Sequence, residues 1–113
     1  MRLEAKKYLY DISEAAGLIA DFAAGKTLVD YQGDAMLRSA VERQFEIIGE
    51  ALSQLARREE SVAERITEYR RIIAFRNILA HGYTQIDARI VWDIVESKLP
   101  ALRREVAALL SEG

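Results

Sequence analysis

Three side chains that can act on a phosphodiester lie close together in the sequence, at Arg76, His81 and Tyr83. An arginine carries a permanent positive charge and can donate two parallel hydrogen bonds to phosphate oxygens. His81 is the only histidine of the chain, and an unperturbed imidazole exchanges protons near neutral pH because its pKa is about 6.5. A phenol is a poorer acid or base, with a reference pKa of about 10. The segment therefore predicts phosphodiester chemistry.

The same residues also have structural explanations. A histidine at the C-terminal end of a helix interacts favourably with the helix dipole or caps its last carbonyls. A tyrosine just beyond such an end, as Tyr83 is, can be partly buried and close the turn. Residue types alone leave both interpretations open.

Spacing limits how Arg76 and His81 can act together. Residues five apart on a helix point about 140° away from each other, so the two converge only if the helix ends near Ala80, as Gly82 suggests. RNA transesterification needs one group to deprotonate the 2′-hydroxyl and another to protonate the leaving 5′-oxygen, yet the chain has one histidine. A twofold dimer would bring two His81 and two Arg76 into one composite site that needs no metal.

Composition restricts the class of protein. With 113 residues, half of them hydrophobic, the chain is expected to form one helical domain over residues 1–113. The net charge of −2 argues against a domain that coats nucleic acid, so any contact with RNA must be local. The absence of cysteine excludes disulfides and thiolate metal sites. No apolar run resembles a signal peptide or reaches the roughly 20 residues of a membrane span, so we expect a cytoplasmic protein with no membrane association.

The hydrophobic pattern has a helical period throughout and predicts an all-α up-and-down bundle of four to five helices. Helices are expected at about 2–24, 34–58 and 67–80, and from 87 onward. Pro100 should kink or restart the last one. The third helix has apolar residues on more than one face, which predicts that it is buried between others.

Two connecting segments carry weaker signals. The stretch 26–33 shows no clean period and is predicted to be a loop or short turn. Ser61 with Glu64 three residues later predicts a capping box that opens either a short helix or the next long one.

A row of carboxylates, Glu42, Glu46 and Glu50, recurs every four residues on the second predicted helix. Such a row could bind a divalent ion, but it lacks nitrogen ligands and Arg38 stands four residues before it, so surface electrostatics is the preferred interpretation. Glu46 or Glu50 could instead hold the guanidinium of Arg76.

Two further side chains have open roles. Asn77, next to Arg76, could orient the site. Trp92 is expected in the core or in a dimer interface, with base stacking as an alternative.

The segment from Arg76 to Tyr83 resembles the signature of the HepT-like branch of the HEPN ribonucleases, Arg-x4-His extended to Arg-x4-His-x-Tyr. The likeness reaches outward over most of the chain, to Ile47-Ile48-Gly49-Glu50-Ala51, Ile86-Asp87, Ile90-Val91-Trp92 and Leu99-Pro100. The family often has a Pro-Trp pair before the motif helix, where this chain has Glu68-Tyr69. That departure affects the loop before the motif helix and the nearby edge of the expected substrate site, but it leaves the motif itself unchanged.

The resemblance implies an all-α homodimer with a composite cleft and metal-independent endoribonuclease activity on RNA. Its catalytic residues would be Arg76 and His81, with Asn77 in support and no cofactor. It further implies a growth-arresting toxin neutralised by a minimal nucleotidyltransferase antitoxin, which transfers AMP to Tyr83. The alternative is a non-catalytic helical module that binds nucleotide or docks a partner protein.

Overall fold

The computed structural model describes residues 1–81 and 86–113, and every regular element in these ranges is a helix, which confirms the all-α prediction. In chain order the helices are α1 (Leu3–Ala23), α2 (Leu28–Gly33), α3 (Ala35–Arg58), α4 (Glu60–Ala63), α5 (Tyr69–His81), α6 (Ala88–Ser97) and α7 (Leu99–Glu112). Five of them match the predicted long helices, α4 corresponds to the short helix that was one possibility near Ser61, and α2 is a short addition. None of the described helices combines the length and apolar character needed to cross a membrane.

The long helix α3 is central, because α1 and α5 both pack against it. Its inward face carries apolar residues at spacings of four and three, and these are buried: Leu37, Val41, Phe45, Ile48, Leu52 and Leu55. Such spacing places them on one side of a helix, and removing this surface from water stabilises the bundle. The carboxylate of Asp34 caps the N-terminus of α3 by accepting the amide N–H of Leu37 at 3.1 Å.

The segment 26–33 is a short helix where a loop or short turn was predicted. Thr27 and Asp30 form a reciprocal capping box. The amide N–H of Thr27 donates to Oδ2 of Asp30 with an N···O distance of 2.9 Å, and the amide N–H of Asp30 donates to Oγ1 of Thr27 at 3.2 Å. The sequence shows no hydrophobic period here because this helix has six residues and buries only one of them, Tyr31, and a single buried residue cannot define a period. The Tyr31 ring contacts that of Trp92 at a centroid distance of 5.2 Å, which joins α2 to α6. Trp92 is accordingly a core residue, which was one of the two locations expected for it.

The capping box predicted at Ser61 is wrong. α4 begins at Glu60, Glu59 occupies its N-cap position without a side-chain hydrogen bond, and Ser61 lies inside the helix. The backbone N–H of Glu59 still bonds to the carbonyl of Leu55 at the end of α3. Because α4 starts where α3 finishes, Ser61 has no extended position from which to cap.

α5 is not buried between other helices, contrary to the prediction. It packs along α3, only Tyr69 is fully buried, and the side chain of Ile78 is 56% exposed. The apolar residues on its second face have no covering helix in the described part of this single chain. The last two helices begin with clear local signals. Asp87 caps α6 by accepting the amide N–H of Arg89 at 2.9 Å, and Pro100 stands in the first turn of α7, where the helix restarts as predicted.

Candidate active site

Arg76 lies where α5 packs tightly on α3, and Gly49 makes this approach possible. A Cβ atom built on Gly49 would overlap the Cβ of Arg76 and come within 2.7 Å of its Cγ. It would also lie 3.4 Å from the backbone oxygen of Ile72. A glycine at this position therefore lets the stem of Arg76 rest directly on the α3 backbone.

The guanidinium of Arg76 is held by two oxygen acceptors. Nη2 donates to Oε2 of Glu50 on α3 in an ion pair, and Nη1 donates to Oδ1 of the neighbouring Asn77 at 2.6 Å. The Arg76 side chain is 27% exposed. Partial burial of a cation costs free energy unless an opposite charge is close, and the carboxylate of Glu50 provides that charge. Since each terminal nitrogen carries two protons, each keeps one N–H for a further acceptor.

The three carboxylates of the α3 row enter different environments. Glu50 pairs with Arg76, whereas Glu46 pairs with Arg43 at 3.4 Å. Partial burial raises the pKa of the Glu42 carboxyl, and the positive charge of Arg38 opposes that rise. No group of three or more potential metal ligands occurs within the described ranges. Two of the three carboxylates therefore form separate ion pairs, with Arg43 and with Arg76.

His81 is the last residue of α5 and its side chain is exposed. α5 thus ends within one residue of Ala80, as predicted, and His81 belongs to its last turn. At about 1.5 Å per residue, the two residues lie roughly 7.5 Å apart along the helix axis and on different faces. No hydrogen bond between described residues joins His81 to Arg76, Glu50 or Asn77. One chain therefore brings Arg76, Asn77 and Glu50 together and leaves His81 apart.

Tyr83 and Gly82 lie outside the described residues, so the role predicted for Tyr83 stays a prediction.

Two clefts lie beside this region. The larger, of about 330 Å³, opens between the start of α5 and the junction of α6 with α7, with Phe45, Ile72 and Phe75 in its wall. The smaller, of about 200 Å³, lies between α1 and α3 and reaches Glu50. Neither of these two clefts is lined by Arg76 or His81.

Sequence reasoning missed the part that Gly49 plays. A glycine within a long helix costs about 0.5–1 kcal/mol relative to alanine, so its presence calls for a packing reason. That signal is ambiguous here, because Gly17 in α1 is also helical yet has nothing within 4 Å of the place where a Cβ would stand. Only the contact between α3 and α5 separates the two glycines.

The family model described as "Ribonuclease HepT-like" matches residues 12–109. The chain belongs to the HepT-like ribonuclease family, and this confirms both the resemblance found in the sequence and the ribonuclease class that it predicts.

Three relatives illustrate the similarity. "Probable ribonuclease HepT" of Thermococcus cleftensis is 33% identical over 103 residues, covering 91% of this chain and 93% of that protein. "Putative RNase MJ1380" of Methanocaldococcus jannaschii is 33% identical over 105 residues, covering 91% and 94%. The same organism's "Gamma-glutamylcyclotransferase and putative RNase MJ0434" is 31% identical over 112 residues, and there 99% of this chain spans only 50% of the relative. No solved structure gives a significant match.

Proposed function

We propose that this protein is a metal-independent endoribonuclease whose active site is shared by two protomers, each supplying Arg76 and His81. One observation carries the proposal: Arg76 is held in place by Glu50 and Asn77, while His81 of the same chain stands on another face of α5. A twofold axis beside α5 would let each histidine approach the partner's arginine. Membership of the HepT-like ribonuclease family supports RNA as the substrate.

The proposed reaction is an intramolecular transesterification. The 2′-hydroxyl oxygen attacks the phosphorus, one His81 takes its proton, and the other His81 protonates the departing 5′-oxygen. The products are a 2′,3′-cyclic phosphate and a 5′-hydroxyl. The two Arg76 guanidinium groups stabilise the extra negative charge of the phosphorane through the N–H donors that Glu50 and Asn77 leave available.

Substitution of the two motif residues tests this function. We expect Arg76→Ala and His81→Ala each to abolish cleavage of single-stranded RNA on a gel, because each removes charge stabilisation or proton transfer. The matched control is Arg43→Ala, because the Arg43 side chain is 67% exposed and pairs with Glu46 rather than with a motif residue. We expect the control to cleave normally and chelator to have no effect.

Two results would contradict this account. If EDTA stops cleavage and magnesium restores it, the metal-free mechanism is wrong. If the pure protein binds RNA or nucleotide without cutting any RNA, the non-catalytic binding module is the better description.

We further propose that the ribonuclease is a growth-arresting toxin and that a minimal nucleotidyltransferase antitoxin neutralises it by transferring AMP to Tyr83. The match of Arg76 to Tyr83 with the extended Arg-x4-His-x-Tyr signature supports this. Each AMP unit on a tyrosine two residues beyond His81 would add bulk and a negative phosphate near Arg76 and His81. Added charge there would compete with an RNA phosphate for the same cations.

Intact-mass measurement tests the modification. After incubation with the cognate antitoxin and ATP, we expect wild-type protein to gain one or more AMP units and to lose cleavage activity. Tyr83→Phe should gain no mass and stay active, whereas Tyr10→Phe, which alters an exposed tyrosine on α1, should be modified like wild type. No mass gain in wild type would leave occlusion of the cleft by the antitoxin as the mode of inhibition.

A further inference from the structure

Arg76 differs in exposure from the other ion-paired arginines of the described chain. Its side chain is 27% exposed, whereas those of the arginines in the other ion pairs are between 50% and 81% exposed. Exposed pairs of long side chains are mobile and contribute little, because water screens the charges and either side chain can rotate away. The pair between Arg76 and Glu50 is restrained by its surroundings.

Two successive residues of α3 provide that restraint by different means. Gly49 lets the α3 backbone lie against the Cβ and Cγ of Arg76, which fixes where the stem of the side chain begins. Glu50, about 100° further round the helix, takes one terminal nitrogen of the guanidinium, while Asn77 takes the other. The arginine is thus fixed at its base by contact and at its tip by two acceptors.

We propose that Gly49 and Glu50 are positioning residues for Arg76, and that they hold its guanidinium in one orientation before RNA binds. This inference rests on the proposed function and deepens it. An arginine side chain loses considerable rotamer freedom when it is fixed, and a group fixed in advance need not lose that freedom in the reaction. Glu50 also offsets part of the positive charge that Arg76 presents to a bound phosphate, so removing Glu50 should not weaken the binding of RNA. We therefore expect the main effect of Glu50 to be on kcat rather than on KM.

Kinetics of Glu50 variants test the inference. We expect Glu50→Ala to lower kcat by about 10- to 100-fold, the scale that misplacement of a catalytic group by about 1 Å produces, with KM within about twofold of wild type. Glu50→Gln keeps an oxygen acceptor for Nη2 and should lose less. Glu46→Ala is the matched control, because Glu46 lies one turn earlier on α3 and pairs with Arg43 instead; it should retain wild-type kinetics.

The opposite kinetic result would overturn the inference. If Glu50→Ala keeps the kcat of wild type, Arg76 does not need its partner. If the variant instead shows a lower KM with undiminished kcat, Glu50 competes with the RNA phosphate for Arg76 and does not position it.

A second measurement does not depend on ribonuclease activity. NMR of the ¹⁵N-labelled guanidinium should show hindered rotation of the Arg76 Nη groups in wild type and in Glu46→Ala, and faster rotation in Glu50→Ala. Equal rotation rates in wild type and Glu50→Ala would overturn the inference. If wild type cleaves no RNA, the proposed function fails, and the NMR comparison alone decides whether Glu50 holds Arg76.

Discussion

At the scale of single residues, the contact between Gly49 and Arg76 makes the structure of the candidate site sensitive to one methyl group. Alanine favours helices more than glycine does, so replacing a glycine inside a helix by alanine ordinarily stabilises the protein. Here the added Cβ meets the Cβ and Cγ of Arg76 and approaches the backbone of Ile72. Either α5 must move away from α3 or the arginine must leave its position.

Gly49 and Gly17, which both lie inside long helices, give opposite predictions for the same substitution. We expect Gly49→Ala to lower the free energy of unfolding by about 1–3 kcal/mol, the usual cost of overpacking a tight contact. Gly17→Ala should raise it by up to about 1 kcal/mol, because the helix gains propensity and the new methyl group meets nothing within 4 Å. Urea denaturation of both variants checks this. Equal stabilities would show that α3 and α5 are not tightly packed at Gly49.

The choice between Glu46 and Glu50 shows what sequence could and could not supply at this scale. Both were predicted as possible partners of Arg76, and both belong to the carboxylate row of α3. They are four residues apart, so their directions differ by only about 40°, and periodicity cannot rank them. The choice depends on how far α5 is shifted along α3. Tertiary packing sets this shift, so the sequence pattern of α3 alone does not reveal it. In the structure the partner is Glu50.

At the scale of helices, the long elements could be predicted because their apolar stripes repeat over several turns. α2 and α4, with six and four residues, are too short to show a period, and their existence depends on local caps and on packing. α5 was interpreted as buried because apolar residues occupy more than one of its faces. Its second face, which includes Ile78, is left exposed in a single chain.

We predict that a second copy of the chain covers this exposed face of α5. Ile78→Lys should weaken self-association by about tenfold or more, because it places a charge in an apolar contact. Leu3→Lys is the control, since Leu3 is also an exposed apolar residue but lies at the end of the bundle where Glu4 pairs with Arg58. Sedimentation over a concentration series compares the two variants. Equal association by both would place the dimer contact elsewhere.

At the scale of the whole molecule, the arrangement of helices separates the two parts of the motif. α3 fixes Arg76 from one side, while His81 projects from the end of α5. One chain therefore has a held cation and an imidazole on another face of the same helix, and it has only one imidazole where transesterification needs two proton carriers. A shared site in a twofold dimer would meet both requirements, and this is the arrangement that we propose.

Mixing wild-type chains with His81→Ala chains tests that claim most directly. The two proteins are unfolded together and refolded at constant total concentration, so that the chains pair at random, and the initial rate of RNA cleavage is measured against the wild-type fraction. If one site needs both histidines, only pairs of wild-type chains are active, and an equal mixture should show about one quarter of the wild-type rate. A rate that falls in simple proportion to the wild-type fraction, to about one half in the equal mixture, would mean that one histidine is enough for each cleavage and would contradict a site that uses both.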